Sequence, residues 1–254
     1  MERLELEYCP VAVKFCFNRP EGYSELDVSI PLCHHLKNVQ TTRQTYYINA
    51  KKEGCVGKFM LGAEPFDPCA QAGTLGFHHG IYRQQGCNAR IYYNVETFKQ
   101  NTVNFVLFGP ATEVNFDPDI IIFVAPVDKA DIIMRAASYV TGDLYEQKAT
   151  NVIGCHWLFN YPYMNGKVNH ITTGMHFGMK RAKLYPAGLQ IISIPFQKLQ
   201  NFFIGLEEME WTLPIFSDDE EQLAVVEYYY KKIGGAHDPN MEIDPNRRVR
   251  HVGQ

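Results

Sequence analysis

No stretch of this sequence is long and apolar enough to cross a bilayer. The most apolar run, Asp119 to Val127, is far shorter than the roughly 20 residues a spanning helix needs. Cationic charge is not in excess either. The formal net charge is −4, so no basic field draws the chain to nucleic acid. Met1 to Glu7 is acidic, with no basic start followed by an apolar core, so a secretory leader is not expected and a cytoplasmic location is. There is no Cys-x-x-Cys pair and no Cys-x-x-Cys-His haem attachment motif. No Rossmann glycine fingerprint follows an apolar strand. The stretch Gly54 to Lys58 lacks both the glycine spacing and the Ser/Thr of a phosphate loop. Repeats and low-complexity tracts are also missing.

What is present is the composition of a folded globular protein, 46% apolar and 20% charged over 254 residues. That length can bury a substantial core in one large domain. The 16 Phe and 15 Tyr are enough for some to line a cavity or interface.

The pattern predicts a strand over Pro10–Phe17 and a helix from Leu32 to Ala50, opened by Pro31 and stopped by Gly54. Gly57 to Gly62 fits a strand or a short helical turn. Cys69 to Gln85 reads as a short helix plus loop, and Arg90 to Tyr93 as extended. Thr102 to Phe108 alternates as a strand, closed by a turn at Gly109-Pro110. Asp119 to Ala125 is continuously apolar and predicts a strand buried on both faces. Asp128 is the expected N-cap of a helix over Lys129–Val140. Strands over Val168–Thr173 and Gly188–Ile194 follow, then a helix from Pro195 through Leu206. Ser217 and Glu220 form a capping box for a C-terminal helix over Asp218–Ile233, and a charged tail with three arginines runs from His237. Strands and helices interleave without a strict βαβ rhythm. The expected fold is α+β (mixed α/β): one domain over residues 1–210, with a mixed sheet and packed helices, and a C-terminal helix and tail over 211–254.

Seven cysteines stand at 9, 16, 33, 55, 69, 87 and 155. In a reducing cytosol they are expected as thiols or metal ligands rather than disulfides. Cys9, Cys16 and Cys69 read as small core residues. Glycine precedes cysteine three times, at Gly54-Cys55, Gly86-Cys87 and Gly154-Cys155. Glycine lets the backbone approach closely and leaves thiolates open to amide donors. Cys33, Cys55, Cys87 and Cys155 are therefore candidate metal ligands, with Gly54 and Gly57 as close-approach positions for a cofactor. His156, next to Cys155, and His176, beside Met175, extend the donor set. Thiolates suit an iron–sulfur cluster or zinc, and Cys, His and Met together would suit haem iron. A thiolate at Cys55 or Cys155 with His156 or His176 as base would fit nucleophilic catalysis.

The ordered motifs resemble the DUF169 family, uncharacterised cysteine-containing proteins of archaea and anaerobic bacteria. They are Pro10 to Phe15, Pro31-Leu-Cys33, Gly54-Cys55-Val-Gly57 with Leu61-Gly62, Asp119 to Phe123, Tyr139-Val-Thr-Gly142, Cys155, and Gly174 to Lys180 before Ile191 to Pro195. Together they span roughly residues 9 to 209. The family pattern has a Gly-Cys in the loop before the last strand, where this chain has Gly174-Met175-His176. If the family's cysteines share a metal, the resemblance implies that His176, Met175 or Cys87 takes that place here, or that the site is lost.

These readings lead to an expected cytoplasmic metal- or redox-cofactor-binding protein with an iron–sulfur cluster. A redox partner protein and self-association are the associated partners; nucleic acid and membrane are not. Whether it is an enzyme is left open. One alternative is a small-molecule-binding protein or enzyme without metal, its pocket lined by Tyr92-Tyr93 and Trp157 to Tyr163. A second is an interaction subunit docking through the C-terminal extension.

Overall fold

The computed structural model describes residues 2–213 together with 220, 223, 224 and 228. The chain divides into two units, 1–209 and 210–254, and the fold below is that of the first. The capping box at Ser217, most of the helix that follows and the whole arginine tail lie outside the described residues.

Seven strands form one sheet: β1 (Val11–Cys16), β2 (Ser24–Glu25), β3 (Tyr46–Asn49), β4 (Phe105–Pro110), β5 (Ile120–Ala125), β6 (Asn169–Thr172) and β7 (Gln190–Pro195). Their order is β2-β3-β4-β1-β5-β7-β6. β2 and β3 run parallel and every other neighbouring pair antiparallel, so the sheet is mixed and the fold is α+β. The helices are α1 (Leu32–Thr42), α2 (Gly57–Met60), α3 (Pro68–Gln71), α4 (Thr74–His78), α5 (Gln85–Asn94), α6 (Val127–Tyr139), α7 (Tyr161–Asn165), α8 (Phe177–Ala182) and α9 (Phe196–Glu208). A turn of π-helix, His156–Asn160, leads into α7.

The Ile-Ile-Ile-Phe-Val-Ala run of β5 is buried along its whole length because helices cover both faces of the sheet. Alternation divides it. Ile120, Ile122 and Val124 join a core with Val11, Val13 and Phe108, completed by Leu32, Leu36 and Val39 of α1 and by Phe159 of the π turn. Phe123 faces the other way and meets Phe202 of α9 edge-on, with ring centroids 5.4 Å apart. On that side α9 lies against α6 at Gly205, where a β-carbon would collide with the Ala136 carbonyl.

Several expectations need correction. The helix beginning at Leu32 stops at Thr42, not Ala50: Arg43 adopts a left-handed conformation (φ 57°) and its N–H bonds to the Val39 carbonyl. Tyr46-Tyr47-Ile48 is strand β3, with Tyr46 opposite Phe108. Aromatic and β-branched side chains gained a half-buried pleated surface, which outweighed weak helical spacing. Arg90 to Tyr93 is helical, within α5, because a four-residue apolar run carries no period of its own. Asp128 sits in the first turn of α6 and Pro126 is its N-cap. Pro110 is still in strand register, opposite Val11. Cys69 is exposed, and Cys9 and Cys16 are half-buried, so none of the three is a core residue.

Candidate functional site

The site is organised by a carboxylate. After a short 3-10 turn, Ala50–Lys52, the chain buries Glu53, 2% exposed. Its Oε1 accepts the Leu32 N–H at 2.9 Å, and its Oε2 accepts the N–H groups of Cys55 at 2.8 Å and Lys58 at 3.1 Å. The Gly57 amide also bonds to this carboxylate. One side chain thus closes the start of α1, the Cys55 loop and the start of α2, where helix amides have no partner of their own. Burial still pushes the Glu53 pKa above the usual carboxylate range, against the pull of these amides.

The glycines follow from this packing. A β-carbon at Gly57 would stand 2.6 Å from the Glu53 carboxyl carbon, and one at Gly54 would stand 2.7 Å from the Ser29 carbonyl oxygen. Gly154 repeats the pattern: its N–H donates to Nε2 of His176, and a β-carbon there would be 2.5 Å from that ring. Gly86 does not repeat it, since nothing lies within 4 Å of its β-carbon position.

Cys33, Cys55 and Cys155 come together from three separate segments. Burial first, then the charges of Cys55 and Glu53, push the Cys33 thiol up to about 12. Cys155 is raised well above the usual thiol range by burial, with Glu53, Cys55 and Cys33 adding to it. Cys55 is raised by burial and by Glu53; it stays accessible because it lines a cavity. As free thiols all three hold their protons at neutral pH, so none is a ready nucleophile. Cys87 is exposed on α5, outside this trio. Among the described residues no group of three or more His, Cys, Asp or Glu side chains is arranged to hold a single metal ion.

His156 and His176 are both buried, and burial pushes each pKa down to about 4. His156 packs edge-on against Trp157 and has no partner at Nδ1 among the described residues. With Nε2 of His176 accepting from Gly154, its neutral ring carries the proton on Nδ1, which is also unpartnered there. Met175, 64% exposed, faces away from the core.

The cavity beside Cys55 has a volume of about 450 Å³. His34, Tyr92 and Arg181 share its wall with His79 and His176. The rest is largely apolar, from Val56, Ile81, Val152, Ile153 and Phe177. Of the aromatics expected to line a pocket, Tyr92 does so. Tyr93 is exposed, and Trp157 to Tyr163 form no part of this wall. Sequence reasoning missed the burial of Glu53 and the positions of His34, His79 and Arg181. For Glu53 a signal existed: Gly54 and Gly57 bracket the loop beside it, and both leave room for close packing.

Among the described residues no helix is long and apolar enough to cross a membrane. One family model, described as uncharacterised ArCR, matches residues 1–203. No curated protein and no solved structure matches the chain.

Proposed function

The chain belongs to the DUF169 family, and from that premise we propose that it binds a redox-active metal group, an iron–sulfur cluster, through Cys33, Cys55 and Cys155. The observation that carries the reading is the convergence of these thiols on Glu53 from three distant segments. Thiols whose pKa values are raised in this way are costly to ionise in the metal-free protein; metal ligation binds them as thiolates and releases their protons to solvent. A cluster would supply one-electron chemistry. Glu53 positions the Cys55 loop through backbone amides. His176 accepts from the amide of Gly154, the residue before Cys155; to act as a fourth ligand it would have to release that bond. Electron transfer requires a donor or acceptor, so a redox partner protein belongs to the proposal, as does a reducing cytoplasm.

The test is anaerobic purification, then visible spectra and iron and sulfide analysis before and after reconstitution with ferrous iron and sulfide. A brown protein with stoichiometric iron is expected. Cys33→Ser, Cys55→Ser and Cys155→Ser should each lose the chromophore, and Cys87→Ser should keep it. A colourless, iron-free protein after reconstitution would overturn the reading, as would a triple variant that retains the same iron.

A further inference from the structure

The polar side chains of the cavity wall beside Cys55 are His34, His79, His176, Arg181 and Tyr92, and no carboxylate is part of it. Any charge that its histidines and arginine carry is positive. Glu53 lies behind Cys55, and its oxygens are already engaged by backbone amides.

Several cations of the chain are engaged by carboxylates: Arg43 pairs with Glu113, Arg135 with Asp131 and Lys198 with Asp143. Arg181 has no carboxylate partner among the described residues. Its guanidinium is exposed at the edge of the cavity, with its planar donor fork free for a planar anionic group. His176, 8% exposed, brings a buried ring nitrogen, Nδ1, to the same wall. The other walls offer Val56, Ile81, Ile153 and Phe177 to an apolar body. A volume of about 450 Å³ is that of a site for a small organic molecule rather than a peptide surface.

We infer that this cavity binds a small organic anion, a carboxylate or sulfonate carried on an apolar body, with Arg181 holding the anionic head. The bound molecule lies against Cys55, so the cavity is a substrate or effector subsite beside the thiol trio. Binding requires no metal, which separates this inference from the proposed cluster.

The test uses the full chain, metal-free and iron-reconstituted, with 1-anilinonaphthalene-8-sulfonate as the probe. Saturable one-site fluorescence enhancement is expected in the metal-free protein. Decanoate should displace the probe, and decanol should do so at least about tenfold less well, in line with a lost charge-assisted hydrogen bond. Arg181→Gln, an exposed position, should weaken probe and decanoate about tenfold with an unchanged far-UV circular dichroism spectrum. Ala182→Trp, also exposed and in the wall, should block both. The inference is overturned if no saturable site is found, if decanol competes as well as decanoate, or if both variants bind like the parent. Failure of cluster reconstitution alone leaves these outcomes unchanged.

Discussion

The carboxylate of Glu53 accepts the first amide of α1, the Leu32 N–H, at 2.9 Å. Pro31, the local N-cap residue, has no side-chain donor or acceptor to do so. The helix that carries Cys33 and the loop that carries Cys55 are therefore tied by one side chain.

Glu53→Gln should destabilise the protein by about 1–3 kcal/mol, because an amide nitrogen would then face backbone donors that need an acceptor. Urea unfolding measures it. The Cys55 loop should loosen as well, seen as faster alkylation of Cys55. Unchanged unfolding and alkylation would mean that Glu53 does not hold the loop.

Three glycines should respond differently to alanine. Gly57→Ala and Gly154→Ala push a methyl group into the buried Glu53 carboxylate and the His176 ring, and each should cost about 1–3 kcal/mol. Gly86→Ala meets open space within α5 and should stabilise by about 0.5–1 kcal/mol. Thermal melts of the three variants decide it. A destabilised Gly86→Ala would contradict the exposed placement of that site.

Thiol labelling should proceed in a fixed order. With iodoacetamide at mildly alkaline pH, Cys69 and Cys87 react first because they are exposed. Cys55 follows more slowly, accessible but raised by burial and Glu53. Cys33 and Cys155 should stay unlabelled until the protein is denatured. Peptide mass mapping against time reads the order, and early labelling of Cys155 would contradict its burial.

Acid should weaken the metal-free protein in a definite window. His35 is fully buried, stacked on Phe108, with Nδ1 against the Tyr46 hydroxyl. Burial, with a smaller push from His34, lowers its pKa to about 4. Between the ordinary value of 6.5 and about 4 the unfolded chain binds a proton that the native ring refuses, so stability is lost as pH falls through that range. The loss amounts to about 2–3 kcal/mol at its foot. Glu53, raised by burial, acts with the opposite sign and favours the native state toward low pH. His35→Phe keeps the stacking without the titration, so its stability should vary less between neutral pH and about pH 4.5. An undiminished slope would place the acid sensitivity in other residues.

Much of this was legible in the sequence where one physical signal dominated. The β5 run could only be a strand covered on both faces, and α6 and α9 announced themselves by their apolar stripes. Cys55 and Cys155 stood out by the glycines before them, and Cys33 by the family motif Pro31-Leu-Cys33. Signals failed where tertiary contacts decided. Tyr46 became strand because β4 lies beside it, a partner some 60 residues later. Glu53 reads as an ordinary surface carboxylate until the amides that donate to it are folded around it. Gly86-Cys87 shares its dipeptide with the Cys55 and Cys155 loops but not their neighbours, which no local pattern records.

The sheet order has a consequence for assembly. β1 is synthesised before its partners β4 and β5, which come about a hundred residues later. Cys33 and Cys55 leave the ribosome between them, and Cys155 after them. At ordinary rates of synthesis Cys33 waits on the order of ten seconds in an unclosed chain before the strands that enclose it arrive. Thiols that the finished protein seals away are open during that interval. Whatever those cysteines are to receive, metal or oxidant, reaches Cys33 most readily before the sheet closes.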